Sequence, residues 1–179
     1  MQEATLSTEL IVQSTALEGV KLITPPTIFD DFRGEFIELY NRDLYQNAGI
    51  TADFVQDDYS FSVKHVLRGI HGDNKTAKLI KCLYGSLYMI IVNNDPSSPQ
   101  YKNWASFTLN CNSHKQLFIP PHFGTSFLVM SDEAILHYKQ TAYYHDAEQF
   151  TIKWDDPKYN FWWPIRDPIT SYRDKRMMD

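Results

Sequence analysis

The stretch Val66-Leu67-Arg68-Gly69-Ile70-His71, followed seven residues later by Lys78-Leu79-Ile80-Lys81-Cys82, predicts two paired strands at the mouth of one barrel. The first strand carries Arg68 and His71, and the second begins with Lys78. Together they would hold a phosphate-binding cation, a proton acceptor and a cation for an oxyanion. This combination suits chemistry next to the carbonyl group of a phosphorylated substrate.

Short apolar or alternating runs recur along the chain on both sides of this stretch and predict an all-β fold. Aromatic residues make up 15% of the sequence, a composition that favours strands. Many short strands separated by turn signals indicate a jelly-roll barrel with a few short helical turns. The predicted runs are Leu10–Val12, Val20–Ile23, Gly34–Leu39, Phe54–Phe61, Leu79–Val92, Trp104–Leu109, Gln116–Ile119, Ser126–Met130, Ala134–Gln140 and Gln149–Trp154.

One helical turn is predicted at residues 42–48, where Asn41 is the cap and Gly49 the terminator. The tail from residue 156 to residue 179 contains three prolines, which deny it a long helix or a central strand. We expect this tail to wrap over the barrel. At 179 residues the chain fits one domain, residues 1–179. Its N-terminal strands, within residues 1–24, are candidates for exchange with a neighbouring subunit.

Composition excludes several classes of function. The net charge is −5 and no basic run is present, so a nucleic-acid partner is not expected. Cys82 and Cys111 are too few for a disulfide framework and lie in no paired-Cys metal spacing. The first nine residues do not read as a signal peptide, and no apolar run is long enough to span a membrane. We expect a cytoplasmic protein without a membrane partner.

The sequence predicts neither a metal site nor another cofactor. Jelly-roll barrels often bind a metal through a His-x-His pair and a carboxylate, but His65 and His71 are six residues apart and no carboxylate follows at a ligand spacing. A Gly-x-Ser-x-Gly elbow and a Walker-type loop are also missing, which leaves a serine hydrolase or a kinase without support.

Several short motifs occur in a fixed order and together resemble one known family. The set resembles the dTDP-4-dehydrorhamnose 3,5-epimerases, jelly-roll sugar-nucleotide epimerases of the cupin class, over residues 24–175. The resemblance implies an isomerase that acts on a nucleotide-linked 4-keto sugar and forms a homodimer. The motifs are Asp31–Glu38, Phe54–Ser60, Val66–His71, Ala77–Leu79, Gln116–Pro121, Phe127–Val129, Tyr138–Tyr144, Trp154–Pro157, Trp163–Pro164 and Ser171–Asp174.

The resemblance also implies roles for four catalytic residues. His71 matches the family's base, and Asp174 matches the carboxylate that orients it. Tyr138 matches the acid on the opposite side of the sugar. Lys78 matches the lysine near the 4-keto oxygen, where a fixed cation meets the developing oxyanion. Removal of a proton next to the carbonyl group gives an enolate, and its return from the other face inverts the carbon.

Substrate-binding residues follow from the same motifs. Arg33 and Arg68 match positions that meet the diphosphate, a natural use of a guanidinium group. Glu38 and Gln56 match positions that line the nucleotide and sugar pocket, and Tyr144 matches a sugar-contacting tyrosine.

The sequence departs from the family pattern at three places. Thr125 stands where the family has a histidine, so that a polar group is missing unless His122 supplies one. Gly72 replaces the aromatic residue after the catalytic histidine, which predicts a wider sugar end of the pocket. Asp58 replaces an asparagine near the nucleotide. An ionised carboxylate only accepts hydrogen bonds, and this suits the two N–H groups of guanine better than thymine.

These departures favour the branch of the family that acts on GDP-linked 4-keto-heptoses in capsular polysaccharide synthesis. Other possibilities remain open. In one alternative, Asp58 points to solvent and the substrate is a dTDP-linked 4-keto-6-deoxyhexose. Retention of Tyr138 favours epimerisation at both C3 and C5 but leaves a C3-only epimerase open. Two non-enzymatic alternatives are a sugar-nucleotide-binding cupin that has lost catalysis and a structural or signalling cupin.

Overall fold

Gly85 divides the long apolar run at residues 79–92 into two strands that belong to different sheets. It adopts a φ of +76°, and a Cβ atom at this position would lie 2.2 Å from the carbonyl oxygen of Glu133. Glycine is therefore required for this turn. The chain crosses from one sheet to the other here, where the sequence predicted one continuous run.

The computed structural model describes residues 5–7, 10–26, 28–144 and 148–175. In the described residues, fourteen strands and two short helices form the fold, with one 3-10 turn at Cys111–Ser113. The strands are β1 (Thr5–Ser7), β2 (Ile11–Ser14), β3 (Lys21–Thr24), β4 (Ile28–Asp31), β5 (Gly34–Ile37), β6 (Gln56–Val63), β7 (Leu67–Gly72), β8 (Lys78–Tyr84), β9 (Ser86–Asn93), β10 (Trp104–Asn110), β11 (Gln116–Ile119), β12 (Phe123–Val129), β13 (Glu133–Gln140) and β14 (Phe150–Thr151), and the helices are α1 (Arg42–Asn47) and α2 (Tyr172–Lys175).

Two large antiparallel sheets face each other and enclose the main core. One has the strand order β2-β3-β11-β8-β13-β6 and the other β10-β9-β12-β7-β14. Alternate side chains of both sheets point inward, as expected for a sandwich-like barrel. Fully buried examples are Cys82 of β8, Leu117 of β11, Ile91 of β9 and Val129 of β12. A separate three-stranded sheet, β1-β4-β5, contains the β4–β5 hairpin.

The outer faces of both sheets are partly covered. Helix α1 buries Tyr45 beside Leu79 on the outer face of the six-stranded sheet. The segment that follows β14 covers the outer face of the other sheet, where Phe161 packs beside Ile70 and Val92. Trp104 Nε1 of β10 donates a 2.9 Å hydrogen bond to the carbonyl oxygen of Tyr159 in this segment. This segment brings the C-terminal helix α2 back to the open end of the barrel.

The predicted fold class, a cupin-type jelly roll with a few short helical turns, is confirmed. Helix α1 begins after Asn41, whose side-chain oxygen accepts a hydrogen bond from the amide of Leu44, as predicted for a cap. Strands β1 and β4 were missed. Within this single chain, β2 pairs with β3 and β1 pairs with β4. The region predicted to exchange with a neighbouring subunit also includes residues 1–4, 8 and 9, which lie outside the described residues. Among the helices described, none is long and apolar enough to cross a membrane.

Candidate active site

A cavity of about 330 Å³ opens between the two large sheets at one end of the barrel. Strands β7 and β12 form one wall, and β8 and β13 form the other. Helix α2 and the segment before β14 close the side. The floor is apolar and continuous with the main core, and the remaining lining is polar or charged. The floor consists of Ile80, Met89, Phe127 and Leu136.

His71 projects into this cavity from β7 and is hydrogen-bonded to Asp174 of α2. The distance from His71 Nε2 to Asp174 Oδ1 is 2.7 Å, and the Asp174 side chain is only 4% exposed. Ser171 Oγ donates to the other carboxylate oxygen at 2.8 Å. Burial raises the pKa of Asp174, but the hydrogen bonds from His71 and Ser171 outweigh it and leave that pKa below its usual value. Asp174 is therefore ionised at neutral pH.

The ionised carboxylate fixes the tautomer of His71. A carboxylate anion can only accept a hydrogen bond, so the proton of the neutral imidazole lies on Nε2 and the lone pair on Nδ1. Thr151 of β14 lies directly opposite His71 in the sheet, and its Oγ1 is 3.2 Å from Nδ1. The Thr151 hydroxyl therefore donates to the lone pair.

Lys78 is the first residue of β8 and faces His71 across the cavity mouth. Its Nζ lies 3.5 Å from Thr125 Oγ1, and its side chain is half-buried. Desolvation lowers the pKa of Lys78, and the negative charge of Asp73 offsets part of this effect. The result is a partly desolvated cation aimed at the same space as the imidazole.

Tyr138 lies on the opposite wall from His71, because β13 belongs to the six-stranded sheet and β7 to the other. Burial raises the pKa of its phenol, and the nearby Asp58 and Tyr144 add to the increase while Arg68 opposes it. The phenol therefore keeps its proton at neutral pH. A proton acceptor and a proton donor thus stand on two sides of one cavity.

Two guanidinium groups line the cavity beyond these residues. Arg68 of β7 donates through Nε to Ser62 Oγ at 3.0 Å. Arg173 of α2 donates to Gln149 Oε1 at 2.8 Å and to the hydroxyl of Tyr144 at 3.4 Å. Its Nε is buried and has no partner among the described residues. A guanidinium fork is well suited to a phosphate group.

The structure brings six of the predicted residues to one cavity: His71, Lys78, Tyr138, Asp174, Arg68 and Tyr144. It does not bring Arg33 there. Arg33 lies at the tip of the β4–β5 hairpin with its side chain 75% exposed, where it pairs with Asp31. Glu38 follows the same hairpin and lies close enough to Tyr45 of α1 to affect the pKa of that phenol. Neither side chain lines the cavity of its own chain.

Gln56 and Asp58 lie behind the cavity rim. Gln56 Nε2 and Gln140 Nε2 both donate to Asp58 Oδ2, at 2.7 and 2.9 Å. Gln56 Oε1 accepts from the amide of Tyr144 at 2.9 Å. Asp58 does not point to solvent, as one alternative assumed, because this half-buried carboxylate is held by two side-chain amides; the dTDP-linked substrate of that alternative is a separate question. These bonds position the rim that carries Tyr144.

Two of the sequence departures have different structural consequences from those predicted. Gly72 does not widen the cavity, because a Cβ atom there would meet the carbonyl oxygen of Phe123 at 2.3 Å and the ring of Phe150 at 2.5 Å. The side of residue 72 on which a side chain would lie therefore faces Phe123 and Phe150 and not the cavity. His122 lies in the turn before β12, close enough to Asp95 to affect its pKa, and does not line the cavity. Thr125 itself supplies the polar group.

Arg173 and Thr125 are cavity residues to which the sequence analysis gave no role. Arg173 lies within the quoted motif Ser171–Asp174, and only its neighbour Asp174 was given a function. A cation next to a carboxylate in a charged tail has no distinctive signal. Among the described residues, no cluster of three or more His, Cys, Asp or Glu side chains has a geometry that would hold a metal ion.

Comparison with known proteins gives a consistent result. The family model described as dTDP-4-dehydrorhamnose 3,5-epimerase matches residues 14–179. The Escherichia coli dTDP-4-dehydrorhamnose 3,5-epimerase is 37% identical over 168 residues, which cover 91% of this chain and 90% of that protein.

Two solved structures extend the comparison. The dTDP-4-dehydrorhamnose 3,5-epimerase of Bacillus anthracis, with TDP and PPi bound, superposes with a TM-score of 0.89 at 32% identity and covers 94% of this chain and 98% of that chain. A dTDP-6-deoxy-D-glucose-3,5-epimerase of Legionella pneumophila, in complex with dTDP-4-keto-L-rhamnose, gives 0.87 at 33% identity and covers 93% and 90%.

Epimerases are isomerases, and the prediction of an isomerase is confirmed. The matched residues span nearly the whole barrel and include β7, β8, β13 and α2, the elements that carry the cavity side chains. This chain belongs to the dTDP-4-dehydrorhamnose 3,5-epimerase family.

Proposed function

We propose that this protein is a 3,5-epimerase of a dTDP-linked 4-keto-6-deoxy sugar. The observation that carries the proposal is the placement of the His71–Asp174 pair on one wall of the cavity and Tyr138 on the opposite wall. Inversion of a carbon next to a carbonyl group needs a base on one side of the sugar and an acid on the other. Few other reactions need this arrangement.

In the first step His71 takes the proton from the carbon next to the 4-keto group. The electron pair of the broken C–H bond moves into the enolate, and the proton goes to Nδ1, the nitrogen with the lone pair. Asp174 accepts from Nε2–H and stabilises the imidazolium that forms, without itself taking the proton. Because the Thr151 hydroxyl donates to Nδ1, it must turn away before this nitrogen can take a proton from the substrate.

Lys78 stabilises the enolate oxygen. The 4-keto oxygen gains negative charge only as the proton leaves, so a fixed cation beside it favours the transition state over the ground state. Partial burial strengthens this interaction because water screens it less. Tyr138 then returns a proton from the other face, and its raised pKa supports the phenol form that is required for this step.

Arg68 and Arg173 are the proposed diphosphate ligands. Both lie on the cavity and neither pairs with a carboxylate in the ion pairs of the described residues. The choice of dTDP over GDP rests on the relatives, which are named for dTDP- or TDP-linked ligands. It is supported by Asp58, whose carboxylate is already hydrogen-bonded to two amides and is less available to guanine. The GDP-heptose and capsule hypothesis has no comparable support.

We also propose that the protein acts as a homodimer. The tip of the β4–β5 hairpin projects Arg33 into solvent, and the edge strand β6 exposes Tyr59, Phe61 and Val63 on its outer face. An exposed apolar edge strand is a common site of subunit contact. A second copy on this face would allow Arg33 to keep its predicted role near a diphosphate. Light scattering of the purified protein tests the stoichiometry.

Solvent deuterium incorporation tests the enzymatic function. The wild-type protein and His71→Asn are incubated in D₂O with dTDP-linked and GDP-linked 4-keto-6-deoxyhexoses and a GDP-linked 4-keto-heptose, and the products are analysed by mass spectrometry. Two deuterons on the dTDP substrate, absent in the mutant, would support the proposal. One deuteron would indicate a C3-only epimerase. Exchange with a GDP substrate alone would overturn the nucleotide assignment, and no exchange at all would favour a binding module.

A further inference from the structure

The three cations that line the cavity are all hydrogen-bonded to uncharged oxygen atoms. Arg68 donates to Ser62 Oγ, Arg173 to Gln149 Oε1 and Lys78 to Thr125 Oγ1. Elsewhere the pattern differs: Arg33, Arg42 and Lys64 each pair with an aspartate. A neutral partner fixes the position of a cation without cancelling its charge, so the cavity cations keep their charge for a ligand.

Lys78 depends most on its partner. Among the described residues, Thr125 Oγ1 is the one hydrogen-bond acceptor of Lys78 Nζ, whereas Arg173 has two such acceptors. The ammonium group is also partly desolvated, and desolvation lowers its pKa. A partly desolvated ammonium group that loses its last acceptor becomes easier to deprotonate. The Thr125 hydroxyl is therefore placed where it affects both the position and the charge of Lys78.

The sheet fixes the direction of the Thr125 hydroxyl. Thr125 of β12 lies opposite His71 in the β12–β7 pair, and its Oγ1 donates to the carbonyl oxygen of His71 at 3.3 Å. With its hydrogen used in this bond, the hydroxyl presents a lone pair to Nζ. The separation of 3.5 Å is long for a hydrogen bond. Such bonds are often long in ligand-free enzymes and shorten in the complex.

We propose that Thr125 is the positioning residue for Lys78, holding the ammonium group at the cavity wall that also carries the His71 base. This inference rests on the proposed function and deepens it. It also accounts for the departure from the family pattern at this position: a short hydroxyl side chain takes the polar role in place of a histidine. Thr125 does not itself contact the reacting carbon in this account. It acts through Lys78.

Several other charged or titratable groups lie around Lys78. Asp73 of the β7–β8 loop acts on its pKa. The cavity lining also contains Arg68 and His71 of β7, Tyr138 of β13, Tyr144, and Arg173 and Asp174 of α2. Tyr138 loses its proton only at high pH because its pKa is raised. The alkaline loss of activity is assigned to Lys78 if it moves in a variant that lacks the Thr125 hydroxyl and stays in place in one that keeps it.

The test compares Thr125→Val, which removes the hydroxyl at nearly constant volume, with Thr125→Ser, which keeps it. For the epimerase reaction we expect Thr125→Val to lower kcat about tenfold with little change in KM, because Lys78 acts only on the developing oxyanion. We expect the alkaline limb of the kcat profile to move down by about half to one pH unit. Thr125→Ser should retain the wild-type limb. Equal profiles for the two variants would overturn the inference.

A second measurement does not depend on activity. The titration of Lys78 is followed by NMR of its labelled Cε, assigned by comparison with Lys78→Arg. A lower midpoint in Thr125→Val than in wild type and Thr125→Ser supports the inference even if the protein has no epimerase activity. An unchanged midpoint rejects it even if wild type is active. Should Thr125→Val fold poorly, as judged by its thermal unfolding, Thr125→Ala provides the same hydroxyl deletion without a branched methyl group.

Discussion

Asp174→Asn removes the negative charge of the orienting side chain while nearly preserving its shape, and so tests what that charge contributes to catalysis. Asp174 is buried and lies 2.7 Å from His71 Nε2, so the substitution replaces a charge-assisted hydrogen bond with a neutral one. Hydrogen bonds to charged groups contribute about 1.5 to 3 kcal/mol. A neutral hydrogen bond contributes about 0.5 to 1.5 kcal/mol, so the difference is about 1 to 1.5 kcal/mol. If it appears in the transition state, where the imidazole is charged, kcat falls about 5- to 13-fold. KM should change little, because the carboxylate acts on the reaction through His71.

The assay is deuterium incorporation into the dTDP-linked 4-keto sugar at saturating substrate, with Asp167→Asn as the matched control. Asp167 lies in the same tail, is exposed, and does not line the cavity. Wild-type kcat in Asp174→Asn, together with loss of activity in His71→Asn, would refute the reasoning.

The pH dependence of stability gives a second measurement. Because the pKa of Asp174 is lowered on folding, its ionised form stabilises the fold above pH 3.8 and this contribution is lost as pH falls further.

Three further predictions concern other positions. Tyr138→Phe should still exchange a substrate proton but lower the yield of inverted product about 10²- to 10⁴-fold, measured by NMR of the sugar, since the donor on the second face is missing. Cys82 should resist iodoacetamide at pH 8 while Cys111 reacts, as read by mass spectrometry, because burial raises the pKa of Cys82 to about 11. Gly85→Ala should lower the free energy of unfolding by about 1 to 3 kcal/mol in urea titrations, because its Cβ would collide with the carbonyl oxygen of Glu133; unchanged unfolding would contradict the turn geometry.

Much of the barrel could be predicted from local pattern. Alternating residues such as those of β6 and β13 show which side chains point inward, and Asn41 and Gly49 mark the limits of α1. The two missed strands are explained by their setting. Strand β4 lies in the small β1-β4-β5 sheet, away from the main core, and so has no strong apolar pattern.

Only those site residues that lie within a recognisable sequence motif could be predicted from the sequence. His71, Lys78 and Tyr138 sit on strands whose register places them on the cavity, so a correct fold also places them correctly. Three-dimensional contacts decided the other cases. The side of Gly72 where a Cβ atom would lie is packed against Phe123 and Phe150, which no sequence pattern reveals. One of the two amides that donate to Asp58 belongs to Gln140, 82 residues away in the sequence.

The neutral partners of the cavity cations have a consequence for the stability of the empty protein. Like charges that are not compensated repel one another, and partial burial weakens the screening by water. Without a ligand the protein is therefore less stable than it would be with these charges neutralised, and the proposed diphosphate ligand would neutralise them. A bound nucleoside diphosphate recovers that free energy and adds its own binding term, so the melting temperature should rise with ligand concentration. Conversely, replacing Arg68 with an uncharged residue of similar length could make the empty barrel more heat-resistant while it binds the ligand less well.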